Sequence, residues 1–168
     1  RDNWQDPTDN NRVNIGLYHG SISGIKTDTG WVMEHGENDI SIFNNFDYGF
    51  LGDIHKTNQS LNESGTIRYC GSTVQQNHGE SNDKGFLVWD IQDKDNYTCE
   101  HHILLNPKPF ISLGLTPKGR LPQRLEVQKG ARLRLISENN LPLDAIRRAV
   151  DAAKVRFKPE SVTYLNRN

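Results

Sequence analysis

Apolar and polar residues alternate through much of the chain before Pro107, and the pattern changes after Pro109. Val13, Ile15 and Leu17 alternate with Asn14 and Gly16 in a run that ends at Tyr18-His19-Gly20. Further strand-like runs follow at 48–51 (YGFL), 66–72 (TIRYCGS), 85–91 (GFLVWDI) and 97–105 (YTCEHHILL). Clusters of turn-forming residues separate them: TDTG, QSLNESG, HGESNDKG and QDKDN. Side chains alternate across a strand, so these spacings predict a mostly β first part, a half-sheet or a sandwich. Against that background, residues 36–45 predict a helix around the short apolar segment Ile40-Ser41-Ile42-Phe43.

After the two prolines the stretch ISLGLTPKGRLPQRLEVQKG is rich in Pro, Gly and basic residues, and it predicts an irregular connection over 107–130. ARLRLIS then predicts a strand with Leu133 and Leu135 on one face and Arg132 and Arg134 on the other. Asn140 suits an N-cap, Pro142 a first helical turn, and Asp144 complements the helix dipole. Ile146, Ala149, Val150, Ala153 and Phe157 recur at helical spacing, which leaves Arg147, Arg148 and Lys154 outside. Pro159 stops the helix and SVTYL supplies another strand. The expectation for 131–168 is a βαβ unit with parallel strands and a right-handed crossover, so the whole chain is of the α+β class.

Charge sharpens this division. Residues 1–100 carry 7 Lys and Arg against 16 Asp and Glu, a net of −9, while residues 101–168 carry 13 against 5, a net of +8. Such a split suits an acidic part that holds cations and a basic part that faces a polyanion. With 168 residues, 34% of them hydrophobic, the chain can bury a core. No apolar run approaches the roughly 20 residues that span a bilayer, and the N-terminus lacks signal-peptide order. The expectation is a soluble, cytoplasmic protein without a membrane partner. Cys70 and Cys99 form no metal-type pair and read as two buried thiols in a reducing compartment.

The chemistry-bearing residues sit where strands run out. His19 closes the first run, and Asp53 and His55 follow the apolar Phe50-Leu51, one residue apart, at a spacing that would aim both to one side of a strand. Ligand sites gather at strand ends in layered α/β folds. Imidazole and carboxylate together suit ions such as Mn²⁺, Zn²⁺ or Fe²⁺. Spacing alone leaves these three residues as metal ligands or as ordinary surface groups.

Three stretches carry a resemblance: YHGSISG, DYGFLGDIHKTNQ and IRYCGSTVQQNHGESNDKGFLVWDI. In order and spacing they resemble the later motifs of the calcineurin-like metallophosphoesterases. Within that superfamily they are similar to the SbcD-type nuclease subunits of DNA double-strand-break repair, particularly phage-like versions. The resemblance covers roughly residues 12–105, and the βαβ tail resembles the small capping domain that follows. It implies a four-layer α/β/β/α fold in the whole family. Here it implies the C-terminal part of the phosphoesterase sandwich over 1–106, a linker over 107–130 and a DNA-binding cap over 131–168.

By that resemblance His19 and His55 are metal ligands, and Asp53 stands where the family's Gly-His-x-His motif has its first histidine. Aspartate can replace imidazole toward Mn²⁺ or Mg²⁺. The implied cofactors are two divalent ions, Mn²⁺ first and Mg²⁺ second. Cys70 stands where the family usually has proline, while Gly71 and Ser72 would shape the turn beside the site. Lys56, Arg132, Arg134, Arg147, Arg148 and Lys154 are the candidate DNA contacts.

The implied activity is metal-dependent hydrolysis of DNA phosphodiesters. The implied partners are DNA, an ABC-type ATPase of the SbcC kind and a second copy joined through an N-terminal part. If phage-encoded, the protein would work in the host cytoplasm. The family's first motifs, Asp-x-His, Gly-Asp-x-x-Asp and Gly-Asn-His-Asp, do not occur here. The chain therefore reads as the C-terminal portion of such an enzyme, with an incomplete metal site. Two other classes stay open: a metallophosphatase acting on small substrates, and a non-catalytic DNA-binding or docking module.

Overall fold

In the computed structural model, which describes residues 4–168, the strand-forming runs assemble into two compact units. Unit 1 comprises residues up to Val74 together with Gly79–Leu104; unit 2 comprises Gln75–His78 and Leu105–Asn168. Together they make a mixed α+β chain. Among the described residues, no helix is long and apolar enough to cross a membrane.

In unit 1, β1 (Ile15–His19), β4 (Tyr48–Gly52) and β6 (Ile67–Tyr69) run parallel, and β5 (Gln59–Ser60) lies antiparallel to β6, in the order β1-β4-β6-β5. β2 (Ile25–Lys26) and β3 (Val32–Met33) form a short antiparallel pair. One face of the larger sheet packs on Ile22, Ile25 and Phe43, with Leu51, Ile67 and Tyr69 projecting from the strands. Gly49 lies under Phe43, where an added Cβ would come within 2.9 Å of its ring. The opposite face presents Tyr48 and Phe50 to a hairpin of β7 (Gly85–Ile91) and β8 (Tyr97–Ile103). Trp89 stacks on Phe50 at 4.8 Å between ring centroids, and Tyr97 meets Tyr48 edge-on at 5.4 Å.

Two local expectations change here. The helix expected over 36–45 is a single 3₁₀ turn, Ile40–Phe43, capped by the Asp39 side chain, which accepts from the Ser41 amide. Four residues between turns are too few to nucleate an α-helix. In β1 the period of two holds, but the apolar set faces outward. Leu17 is 72% exposed and Ile15 42%, while Gly16 and Tyr18 turn toward Phe43 and Trp4.

Unit 2 is a three-stranded parallel sheet, β9 (Phe110–Gly114), β10 (Arg132–Ser137) and β11 (Ser161–Asn166), with β10 central. Helix α1 (Leu143–Phe157) connects β10 to β11. Leu113, Leu133 and Leu135 from the sheet pack on Ala149, Ala153 and Phe157 of the helix, as the two periodicities require.

β9 falls inside the stretch expected to be irregular. Phe110, Ile111 and Leu113 supply a short strand pattern there, hidden by the prolines before it and the basic loop behind it. Asn140 does not cap α1; its side chain accepts from Asn166 instead, and Pro142 occupies the N-cap position without a side-chain bond. The helix ends at Lys158, whose φ of 48° forms a left-handed cap. Cys70 and Cys99 are free and half-buried, and burial pushes the Cys99 thiol up.

Candidate functional site

The parallel register of β1 and β4 sets His19 beside Gly52, so both strands end at the same level. Gly52 is required by close approach: an added Cβ would lie 3.0 Å from Cδ2 of His19. The Gly20 amide donates to the Gly52 carbonyl and carries the pairing one step beyond the strands.

Regular strand geometry stops there. Asp53 has φ 91°, a conformation that costs a non-glycine residue on the order of 1–3 kcal/mol. The strand-alternation argument for Asp53 and His55 therefore does not hold, because the backbone turns at Asp53 before reaching His55. Both residues are exposed, as is His19.

A phenol ties the strand ends together. Tyr69 is fully buried; its hydroxyl donates to the Gly20 carbonyl at 2.6 Å and accepts from the Ile22 amide at 3.0 Å. Burial pushes the Tyr69 hydroxyl up to about 12, opposed by the Ile22 hydrogen bond and reinforced by Tyr18, Asp53 and Glu37. Asp53 and Glu37 thus lie close enough to the phenol to oppose its ionisation.

The loop carrying His55 is held from three directions. Its ring Nδ1 lies 2.9 Å from Oε1 of Glu80. Its carbonyl accepts from Nζ of Lys84 at 2.6 Å and from the Ser72 amide at 3.4 Å. Gly71, at φ 82°, lets the 70–72 turn approach closely, since a Cβ there would sit 2.8 Å from Cα of Thr57. The turn-shaping part read for Gly71 and Ser72 thus has a concrete form.

Lys84 is 1% exposed and bonds Asp28, with Glu80 at 3.6 Å. Sequence reasoning gives Asp28, Glu80, Lys84 and Tyr69 no role. Their signal was a Lys directly before the apolar GFLVW run, four residues after a Glu, inside a cluster with the composition of a solvated turn.

Among the described residues no three His, Cys, Asp or Glu side chains gather in a way that could hold a metal ion. His19, Asp53 and His55 are therefore not gathered into one ligand group; each singly has donor chemistry that suits a divalent ion, at or just beyond the strand ends. Lys56 is half-buried and lines a cleft of about 420 Å³ with Lys26, Gln59 and Ser60.

The basic candidates of unit 2 do not form one surface. α1 covers the Leu133 and Leu135 face of the sheet, so Arg132 and Arg134 lie on the other. Arg132 stacks over the Phe110 ring at 4.9 Å. Arg147, Arg148 and Lys154 are exposed on α1. Arg148 pairs with Asp144 at 2.7 Å and lines a cleft of about 380 Å³ whose other cations are Lys118 and Arg120. Arg156 is a clamp: its guanidinium donates to the carbonyls of Pro122, Gln123 and Leu125.

The chain is 40% identical over 90 residues to the SbcD subunit of the SbcCD nuclease of Staphylococcus epidermidis. Part of this chain is similar to a nuclease subunit. That match spans 51% of this chain and 24% of the bacterial protein. A second match, 37% identical over 101 residues, is to an uncharacterized protein of Acanthamoeba polyphaga mimivirus and spans 60% of this chain and 7% of that protein. The chain thus corresponds to about a quarter or less of the curated relatives it matches. No protein-family model matches it.

Proposed function

We propose that this chain is the C-terminal portion of a metal-dependent DNA nuclease, carrying part of its metal site in unit 1 and a DNA-backbone surface in unit 2. The observation that carries this reading is the placement of His19 at the end of β1 and of Asp53 directly after the end of the adjacent parallel β4, followed by a His55 ring held by a buried carboxylate. The partial similarity to the SbcD subunit of the SbcCD nuclease supports it. On this reading unit 1 is the end of a metallophosphoesterase sandwich and unit 2 its cap. The remaining ligands come from polypeptide outside this chain.

His19, Asp53 and His55 would hold the ions, Mn²⁺ or Mg²⁺. Bound divalent ions supply an activated water and neutralise charge building on a phosphodiester. The chain's own part is to present two imidazoles and one carboxylate, of which the His55 ring is held by Glu80. Gly52 makes room for the His19 ring, the Tyr69 hydroxyl pins the turn beyond it, and Glu80 and Lys84 hold the His55 loop.

Arg147, Arg148 and Lys154, joined by Lys118 and Arg120, would contact DNA phosphates, and Lys56 a phosphate nearer the metals. Arg132 and Arg134 serve less well, since they are half-buried and Arg132 is engaged on Phe110. An ABC ATPase of the SbcC kind and a second copy are the proposed protein partners, in the cytoplasm or that of a phage host.

For the isolated chain a second reading is a non-catalytic DNA-binding or docking module, favoured by the exposed cations of α1. A phosphatase acting on small substrates would have no use for the cations on α1.

The deciding experiment joins the chain to its upstream sequence and measures Mn²⁺-dependent cleavage of linear duplex DNA. His19→Ala and His55→Ala should each abolish cleavage while the circular dichroism spectrum is unchanged. Near-normal cleavage by either variant overturns the assignment.

A further inference from the structure

A lysine with 1% of its surface exposed, between two carboxylates that are themselves 7% and 8% exposed, is a costly arrangement for a turn. Buried ion clusters of this kind are often no more stabilising than apolar side chains of the same size. Their retention calls for another use. The cluster touches one candidate ligand twice: Lys84 donates to the His55 carbonyl, and Glu80 faces the His55 ring.

An ionised Glu80 fixes which ring nitrogen of His55 is the donor, whether the imidazole is neutral or charged. A carboxylate accepts hydrogen bonds and cannot donate them, so Nδ1 of His55 must carry the proton in the 2.9 Å contact with Glu80. A neutral imidazole protonated at Nδ1 has its lone pair on Nε2, on the far side of the ring from Glu80. Carboxylates that hold a metal-binding histidine in this way fix its tautomer and direction and raise its basicity.

We infer that Glu80, oriented by the buried Lys84–Asp28 pair, is a positioning residue that locks His55 as its Nδ1–H tautomer and leaves Nε2 free for a divalent cation. The inference rests on the reading of His55 as a ligand, and it adds how the chain prepares that ligand before any ion arrives. Glu80 does not touch the ion or the substrate. The Ser72 amide and the tight packing of Gly71 on Thr57 fix the backbone of the same loop, so ring and main chain are held independently.

The test uses this chain without metal. Long-range ¹H–¹⁵N correlation spectra at mildly alkaline pH distinguish the two neutral imidazole tautomers. His55 should show a single Nδ1–H form, and Glu80→Ala should move it toward the Nε2–H form that predominates in an unconstrained imidazole. Glu80→Gln keeps an acceptor oxygen and should retain part of the Nδ1–H population. A wild-type His55 already in the Nε2–H form or in a mixture overturns the inference, and that measurement needs no variant to fold.

In the protein joined to its upstream sequence, Glu80→Ala should weaken Mn²⁺ binding about 10–100-fold by calorimetry. Unchanged affinity also overturns the inference. The two readings fail separately. A locked tautomer with full cleavage in His55→Ala removes the nuclease assignment, while a mixed tautomer with no cleavage in His55→Ala removes only the role of Glu80.

Discussion

Unit 1 and unit 2 are both built on parallel strands, yet they bury different kinds of atoms. In unit 2 the buried side chains of the sheet–helix interface are Leu113, Leu133, Leu135, Ala149, Ala153 and Phe157, and each follows the period of its own element. Unit 1 buries the same sorts of residues and adds Lys84, Asp28, Glu80 and the Tyr69 hydroxyl. It also holds Asp53 and Asn58 at positive φ, whereas the one non-glycine residue of that kind described in unit 2 is the helix cap Lys158. Unit 2 buries polar side chains as well, Gln75, Asn106 and Ser137, but these are neutral. The buried charges and the positive-φ non-glycine residues outside a helix cap lie in unit 1, around the loop of His55. Where every level of the sequence agrees, structure is the product; where levels conflict, a site is the usual reason.

The comparison can be broken most directly at Lys84. Lys84→Met leaves Asp28 and Glu80 buried without their cation and should destabilise unit 1 by about 3–5 kcal/mol. Trp4, Trp31 and Trp89, the three tryptophans of the chain, all belong to unit 1, and α1 belongs to unit 2. Urea titrations should therefore show the fluorescence transition moving to lower denaturant while the helical signal at 222 nm stays in place. Movement of both signals by the same amount would show that the units do not unfold separately.

The converse variant is Leu133→Ala. It opens a hole under Ala153 and Phe157 and should cost about 3 kcal/mol, read in the helical signal ahead of the tryptophans.

A smaller effect of opposite sign is expected at Asp53. Glycine accepts φ 91° freely, so Asp53→Gly should relieve strain and, after the added chain entropy of glycine, stabilise unit 1 by about 1 kcal/mol. The same change in the protein joined to its upstream sequence should weaken Mn²⁺-dependent cleavage. Gain of stability together with full cleavage would remove Asp53 from the metal site.

Salt dependence separates the two cationic faces of unit 2. Arg147→Ala/Arg148→Ala should lower the slope of log affinity for duplex DNA against log salt by roughly 0.9 for each phosphate no longer neutralised. Arg132→Ala/Arg134→Ala should leave the slope unchanged, because those side chains lie on the opposite face of the sheet from α1. The reverse result would move the DNA surface to the other face.

The smallest effect is at His78. Burial, and then the charge of Arg134, hold its imidazole below the usual histidine range, against the hydrogen bond to the Arg132 carbonyl. A depressed folded value means that the unfolded chain binds the proton more readily. The contribution of His78 is therefore complete above the ordinary histidine value and is lost as pH falls through the lowered one. Thermal melts of unit 2 should show this acid sensitivity, and His78→Phe should remove it.

Unit 2 was legible in the sequence because its instructions are local and redundant. Arg132 to Ser137 alternate, α1 repeats at helical spacing, and Pro159 closes the helix where the chain must turn. β9 escaped because its pairing with β10 is made across a long basic loop, which no local pattern reports.

In unit 1 the longer strands β1, β4, β6, β7 and β8 were legible as well, and so was the strand-end position of His19. The two-residue strands β2, β3 and β5 were too short to show a period, and β5 falls in a stretch read as a turn. The geometry of the site was not. That Asp53 leaves the strand depends on a backbone angle, and that Lys84 is buried depends on Asp28, which lies 56 positions away. A Glu and a Lys in a turn cluster look solvated until distant chain brings the second carboxylate.

Among the described strands, β1 is paired on one side by β4, and its outward face carries Ile15 and Leu17. A strand with free amides and carbonyls along one edge and aliphatic side chains on its surface is a template for further strands. It carries Gly16 but no proline or lysine to discourage a newcomer. In the test tube such an edge makes concentration, more than temperature, the variable that governs how long the chain stays dispersed. Leu17→Lys, which leaves the buried side of β1 untouched, is the simplest way to keep preparations clear.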